Sequence, residues 1–146
     1  MTKFSDVTAF RLVRGLGAAG ARNPAIYLLI CDAESVAAVE ADLRAEAEVQ
    51  LGAAIRVDTA SDVLRNSLPL RHDGSIRLIY FDQWLPELVE AMDKHSALLV
   101  QDGGQLLLLA DGSTVERILK SAPNLRSRLT DVFRIGPDDL SRGLPI

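Results

Sequence analysis

The sequence predicts an α/β domain of three layers, with a five-stranded, mainly parallel sheet covered by helices on both faces. Two observations carry this. Near-continuous apolar runs at residues 25–31 and 105–110 have the length and content of strands buried on both sides. Amphipathic segments alternate with such runs along the chain, and right-handed crossovers place them on the faces of a parallel sheet. With 146 residues, 48% hydrophobic and 25% charged, the chain suffices for one globular domain with a continuous core, spanning residues 1–146.

The elements follow in order. Phe10, Leu12, Val13 and Leu16 recur at mixed three- and four-residue spacing, which predicts a helix over residues 4–16 that closes near Gly15-Leu16-Gly17. Asn23-Pro24 forces an extended start to the first strand, residues 25–31. Asp32 is placed to cap the next helix, in which Val36, Val39 and Leu43 form the apolar stripe and Gly52 the end. A short strand at 54–57 runs into Asp58, and a helix at 61–68 stops at Pro69 and the polar turn 71–74. The third strand, 76–81, meets Asp82. A mainly helical stretch at 85–100 ends at Asp102-Gly103-Gly104, the fourth strand is 105–110, a helix covers 113–120, and the fifth strand is 132–135.

Composition narrows the function. The formal net charge of −4, with a pI near 5.1, supplies no overall positive field for a phosphate backbone, so nucleic acid is not expected as a partner. No apolar run approaches the roughly 20 residues of a bilayer span, and the first six residues do not read as a secretory signal, so a cytoplasmic protein is expected. Cys31, the single cysteine, reads as a small core residue. Charge is uneven, with Glu34, Glu40, Asp42, Glu46 and Glu48 crowding one helix and Arg117, Lys120, Arg126, Arg128, Arg134 and Arg142 marking the last thirty positions. Such polarity suits docking or self-association, although a solvated face accounts for it as well.

The motifs mostly exclude chemistry. Gly15-Leu16-Gly17-Ala18-Ala19-Gly20 matches the letters of a dinucleotide fingerprint, but a helix precedes it and a strand follows, the reverse of what pyrophosphate binding needs. It reads as a helix-to-strand connection. A phosphate loop is absent, since Lys3, Lys94 and Lys120 follow no glycine. Its place after the first strand holds Cys31-Asp32-Ala33-Glu34, whose carboxylates satisfy the helix start and repel a triphosphate. His72 and His95 have no ligand-spaced neighbours, so neither zinc nor a nucleophile triad is supported. Four strands end at Asp32, Asp58, Asp82 and Asp111, an acidic rim where open α/β sheets bind ligands. Capping of the helix that follows each aspartate is the simpler reading. Trp84, just after the third strand, reads as a core or rim aromatic, or as an interaction anchor. No catalytic residue, metal site or cofactor is assigned.

Two resemblances follow from these segments. Asp82-Gln83-Trp84-Leu85-Pro86 resembles the acceptor segment of response-regulator receiver domains, with Asp82 as acceptor, although Ala110-Asp111 and Ile135-Gly136-Pro137 lack that family's hydroxyl and lysine. The other covers nearly the whole chain, residues 10–135. The 122–128 segment Ala-Pro-Asn-Leu-Arg-Ser-Arg, closing on 132–135, resembles the end of the ATPase core in STAND-type signal-transduction ATPases and their AAA relatives. Residues 106–110 then resemble the sensor strand and Leu78 to Asp82 the Walker B strand. A helix leading to a strand that ends in Cys31-Asp32 without a phosphate loop is similar to the inactive STAND domains of bacterial conflict systems. That resemblance implies a degenerate P-loop NTPase-like fold with a vestigial Asp82, a stand-alone core, no catalysis and no cofactor. It implies a scaffold joining protein sensor and effector components, with Trp84, Arg126 and Arg128 as candidate contacts.

Overall fold

The structure is a computed structural model and describes residues 4–19, 25–66, 76–99 and 104–137. Within these, six strands form one all-parallel sheet: β1 (Ser5–Val7), β2 (Ala25–Ile30), β3 (Ile55–Thr59), β4 (Ile76–Tyr80), β5 (Gln105–Ala110) and β6 (Asp131–Ile135). Six α-helices accompany them: α1 (Ala9–Ala19), α2 (Val36–Leu51), α3 (Ala60–Asn66), α4 (Pro86–Lys94), α5 (Gly112–Ser121) and α6 (Pro123–Arg128). No helix among the described residues is long and apolar enough to cross a membrane. The expected turn at 69–74, Asn23-Pro24, Gly20 and Arg142 lie outside the described residues.

The sheet order is β1-β6-β2-β5-β4-β3. From β1 to β2 and from β2 to β3 the chain steps one way across the sheet, with α1 and α2 as crossovers. From β3 through β4 and β5 to β6 it steps back, with α3 to α6 as crossovers. Because crossovers between parallel strands are right-handed, reversing the direction moves the helices to the other face. The core divides accordingly. Leu12, Val13, Leu16, Val39, Leu43 and Ala47 of α1 and α2 pack with Leu29, Leu78, Leu107 and Leu109. Val63, Leu88, Met92, Val115, Ile118 and Leu125 of the other helices pack with Leu28, Ile79, Leu106 and Leu108. Counted from β2, the core strands run 5-1-4-3-2, whereas the flavodoxin-like sheet of receiver domains runs 2-1-3-4-5.

Several expectations are corrected. The sheet has six strands, not five, and none is antiparallel. The sixth is β1, cut from the start of the expected first helix. Ser5-Asp6-Val7 is too short for an apolar period and pairs with β6 at the sheet edge, while Thr8 Oγ1 accepts the Arg11 amide at 3.1 Å and so starts α1. That helix does not stop at Gly15-Leu16-Gly17 but continues to Ala19. Gly17 faces α2: a Cβ added to it would lie 2.7 Å from Leu51 Cδ2, so a larger residue there would have to turn the end of Leu51 aside. The dinucleotide-like letters from Gly15 to Ala19 therefore fall within a helix. The stretch expected as one helix at 85–100 breaks at His95, where a 3₁₀ turn, Ser96–Leu99, takes over. Gly52 ends α2 as expected, in the left-handed region at φ 60°.

Candidate functional site

The carboxyl ends of β2, β5 and β4 lie side by side, and the connections that leave β2 and β5 turn to opposite faces. This reversal opens a crevice, the general place for ligands in an open parallel sheet. A cleft of about 320 Å³ occupies it, lined among others by Cys31, Asp82, Trp84, Asp111, Thr114 and Arg117. The four strand-associated aspartates reach very different ends.

Asp111 N-caps α5, its Oδ1 accepting the Thr114 amide at 2.8 Å. Asp82 instead turns to the helix that precedes its strand. Its carboxylate accepts the Ser61 amide at 3.2 Å and the Ser61 hydroxyl at 2.7 Å, and Gln83 donates to the same hydroxyl at 3.0 Å. Asp82 thus caps the start of α3, a correction to the expectation that it serves the following helix. Proline at the first position of α4 leaves that helix with one amide fewer to satisfy. Asp32 makes no side-chain cap hydrogen bond, again against expectation, because a 3₁₀ turn, Ala33–Ser35, separates it from α2.

Asp58 is not on the rim. β3 runs two residues further than expected, to Thr59, and the pleat turns Asp58 onto the face it shares with Arg56 and Arg77. Its Oδ2 lies 3.2 Å from Arg56 Nε, 3.2 Å from Arg77 Nε and 3.1 Å from Arg77 Nη2. The Arg77 side chain is only 5% exposed, and its Nη2 meets Asp58 as an ion pair without the alignment of a hydrogen bond.

The candidate interaction residues are split between the ends of the sheet. Trp84 is half-buried against the core at the cleft mouth, with the Arg117 guanidinium carbon 5.4 Å from its ring centroid. Arg126 and Arg128 belong to α6, which leads into the opposite, amino-terminal end of β6. Arg126 Nη1 donates to the Leu119 carbonyl at 3.3 Å, and Arg128 Nε donates to Ser96 Oγ at 2.9 Å. Arg128 therefore ties α6 to the 3₁₀ turn after α4 rather than pairing with the acidic helix. Asp93 of α4 holds the start of α6, accepting the amides of Asn124 at 2.7 Å and Leu125 at 2.9 Å. Sequence reading missed Arg117, Ser61 and Asp93. Helical spacing of Ser113, Thr114 and Arg117 signals one face of α5 and could have found the first. Ser61 and Asp93 act across elements and leave no local signal.

Among the described residues no group of three His, Cys, Asp or Glu side chains is placed to hold a metal ion. His95 closes α4, away from the cleft, and His72 lies outside the described residues. The Cys31 thiol is buried and pushed up to about 11, first by burial and then by the Asp32 charge. At neutral pH it is a thiol, which is a poor nucleophile. No protein-family model, curated protein or solved structure matches the chain.

Cys31 makes alkaline stability testable. The unfolded thiol ionises near pH 9 and the folded one near 11, so the folded state holds its proton longer and stability falls as pH rises through that window. The expected loss is about 2 kcal/mol by pH 11. The Tyr27 hydroxyl, also raised by burial and then by Asp131, adds to the slope. Urea titrations at pH 8 and pH 10.5 should show Cys31→Ala with a smaller alkaline loss than the parent, and equal losses would refute the assignment.

Proposed function

We propose that this chain is a non-catalytic adaptor domain of the inactive STAND kind, with a three-layer, degenerate P-loop NTPase-like fold, that joins protein sensor or effector components in bacterial conflict signalling. The observation that carries the reading is the connection from β2 to α2. Where a phosphate loop would wrap an anion with glycine amides, the chain passes through Cys31, Asp32 and the one-turn 3₁₀ segment Ala33–Ser35. Asp32 and Glu34 are exposed there, so the helix start presents negative charge to any phosphate.

Two further features support it. The strands that resemble the Walker B and sensor strands, β4 and β5, stand beside β2 in the order β2-β5-β4, which supports the reading of a frame without its chemistry. Asp82 is engaged by Ser61, which leaves the Walker B-like carboxylate serving structure. On this reading the domain works in the cytoplasm with protein partners, without cofactor, nucleic acid or membrane. No observation favours the receiver alternative at Asp82 over it.

Calorimetric titration with ATP and Mg²⁺ tests the first half. No heat of binding, no change in melting temperature and no phosphate release are expected, whereas binding at micromolar concentration would overturn the reading. Co-expression with the products of adjacent genes tests the second half. A complex that forms without nucleotide is expected, and one that requires ATP would overturn it.

A further inference from the structure

The cleft at the carboxyl ends of β2, β5 and β4 gathers charges of both signs that no helix or core contact uses up. Asp82 and Asp111 line it from adjacent strand ends. Each lies two residues past the paired Tyr80 and Leu109, and the Phe81 amide still donates to the Leu109 carbonyl at 2.8 Å. Like charges at neighbouring strand positions repel, and a cation between them relieves the repulsion. Both carboxylates are exposed and keep acceptor sites. Asp111 meets the Thr114 amide through Oδ1, and the two Asp82 oxygens take one hydrogen bond each from Ser61, whereas a carboxylate offers about four acceptor sites.

α5 supplies the donors. Ser113, Thr114 and Arg117 share one face of it and all line the cleft. The Arg117 guanidinium lies over the Trp84 ring, 5.4 Å from its centroid, and has no carboxylate partner among the described residues. Thr114 is only 8% exposed, and its hydroxyl has no hydrogen-bond partner among the described residues. That oxygen is not sealed from solvent, so a ligand in the cleft can reach it. Cys31, Phe81 and Trp84 add apolar surface. The volume of about 320 Å³ stands at the small end of ligand pockets, which run from about 300 to 1,000 Å³.

We propose that this cleft binds a small zwitterion, an α-amino acid with an apolar side chain. Its ammonium sits between Asp82 and Asp111, its carboxylate meets the Arg117 guanidinium and the Ser113 and Thr114 hydroxyls, and its side chain lies against Cys31, Phe81 and Trp84. The charge pattern decides the class. A phosphate or other plain anion meets two carboxylates against one guanidinium, and a plain amine meets Arg117 with like charge. A molecule that carries both charges satisfies both sets, through charge-assisted hydrogen bonds of the stronger kind. The inference goes beyond the adaptor reading and does not rest on it, since the ATP titration has no bearing on amino-acid binding.

Calorimetric titration of the full chain with L-leucine, L-methionine and L-phenylalanine, each alone, should show at least one binding with a dissociation constant below about 1 mM. For the tightest of them, the analogue lacking the carboxylate and the analogue lacking the amine should each bind about tenfold more weakly or worse. Arg117→Met keeps an unbranched side chain over Trp84 and removes the charge. Asp111→Asn removes a charge and keeps the cap, because asparagine also accepts at a helix start. Each variant should weaken binding about tenfold or more, with circular dichroism confirming that it folds. Absence of binding by all three amino acids, equal binding of either truncated analogue, or parental affinity in either variant would each overturn the proposal.

Discussion

Replacing Asp58 with alanine lowers the unfolding free energy by about 3 kcal/mol, although Asp58 is partly exposed and lies far from any cleft described above. The cost arises at Arg77. Its side chain is 5% exposed, its guanidinium faces one carboxylate, and among the described residues no other acid reaches it. Removing one partner of a buried pair leaves a charge without compensation, and such losses run to about 3 to 5 kcal/mol. The lower figure applies here because the Asp58 side chain is 24% exposed. Arg56, at 53% exposure, keeps its water and loses little. The pair itself contributes far less than its breakage costs, because desolvation offsets the attraction. Adding Arg77→Met to Asp58→Ala should therefore restore most of the stability, the apolar side chain filling the same channel beside Leu106. Urea unfolding of the two single variants and the double variant checks this. An Asp58→Ala cost below about 1 kcal/mol would show that Arg77 reaches water instead.

That interaction also marks the boundary of what the sequence discloses. Ile76-Arg77-Leu78 reads as a buried strand and is one, but nothing local says that Arg77 meets Asp58, nineteen positions away. The meeting depends on the register Arg56↔Arg77 and Asp58↔Ile79. A strand end misjudged by two residues moved Asp58 from a face to the rim. Where an element is long and uniformly apolar the boundaries are legible, and β5 spans the expected residues, Gln105–Ala110. β1 is the opposite case, three residues with a single apolar side chain that become a strand only because β6 offers its edge. The acidic rim was legible as a set of residues and not as a set of roles. Asp82 and Asp93 each cap a helix brought near by tertiary packing, and chain order does not reveal which one.

The uniform run Gln105-Leu106-Leu107-Leu108-Leu109-Ala110 yields the second large effect. Leu107 and Leu108 are both fully buried, yet each belongs to a different core: Leu107 packs with the α1 and α2 layer, Leu108 with the layer of α3 to α6. Leu→Ala at either position should cost about 3 to 4 kcal/mol, combining lost transfer energy with the cavity left by partial relaxation. Neighbouring substitutions usually couple, because they share contacts or a cavity. Here the sheet stands between the two cavities. The costs should add to within about 0.5 kcal/mol, bringing the double variant to about 7 kcal/mol, comparable with the whole stability of an ordinary domain. Unfolding measured in a stabilising osmolyte keeps the double variant within range. A coupling energy above about 1 kcal/mol would mean that β5 shifts to fill one cavity at the expense of the other, and that the two cores are mechanically one.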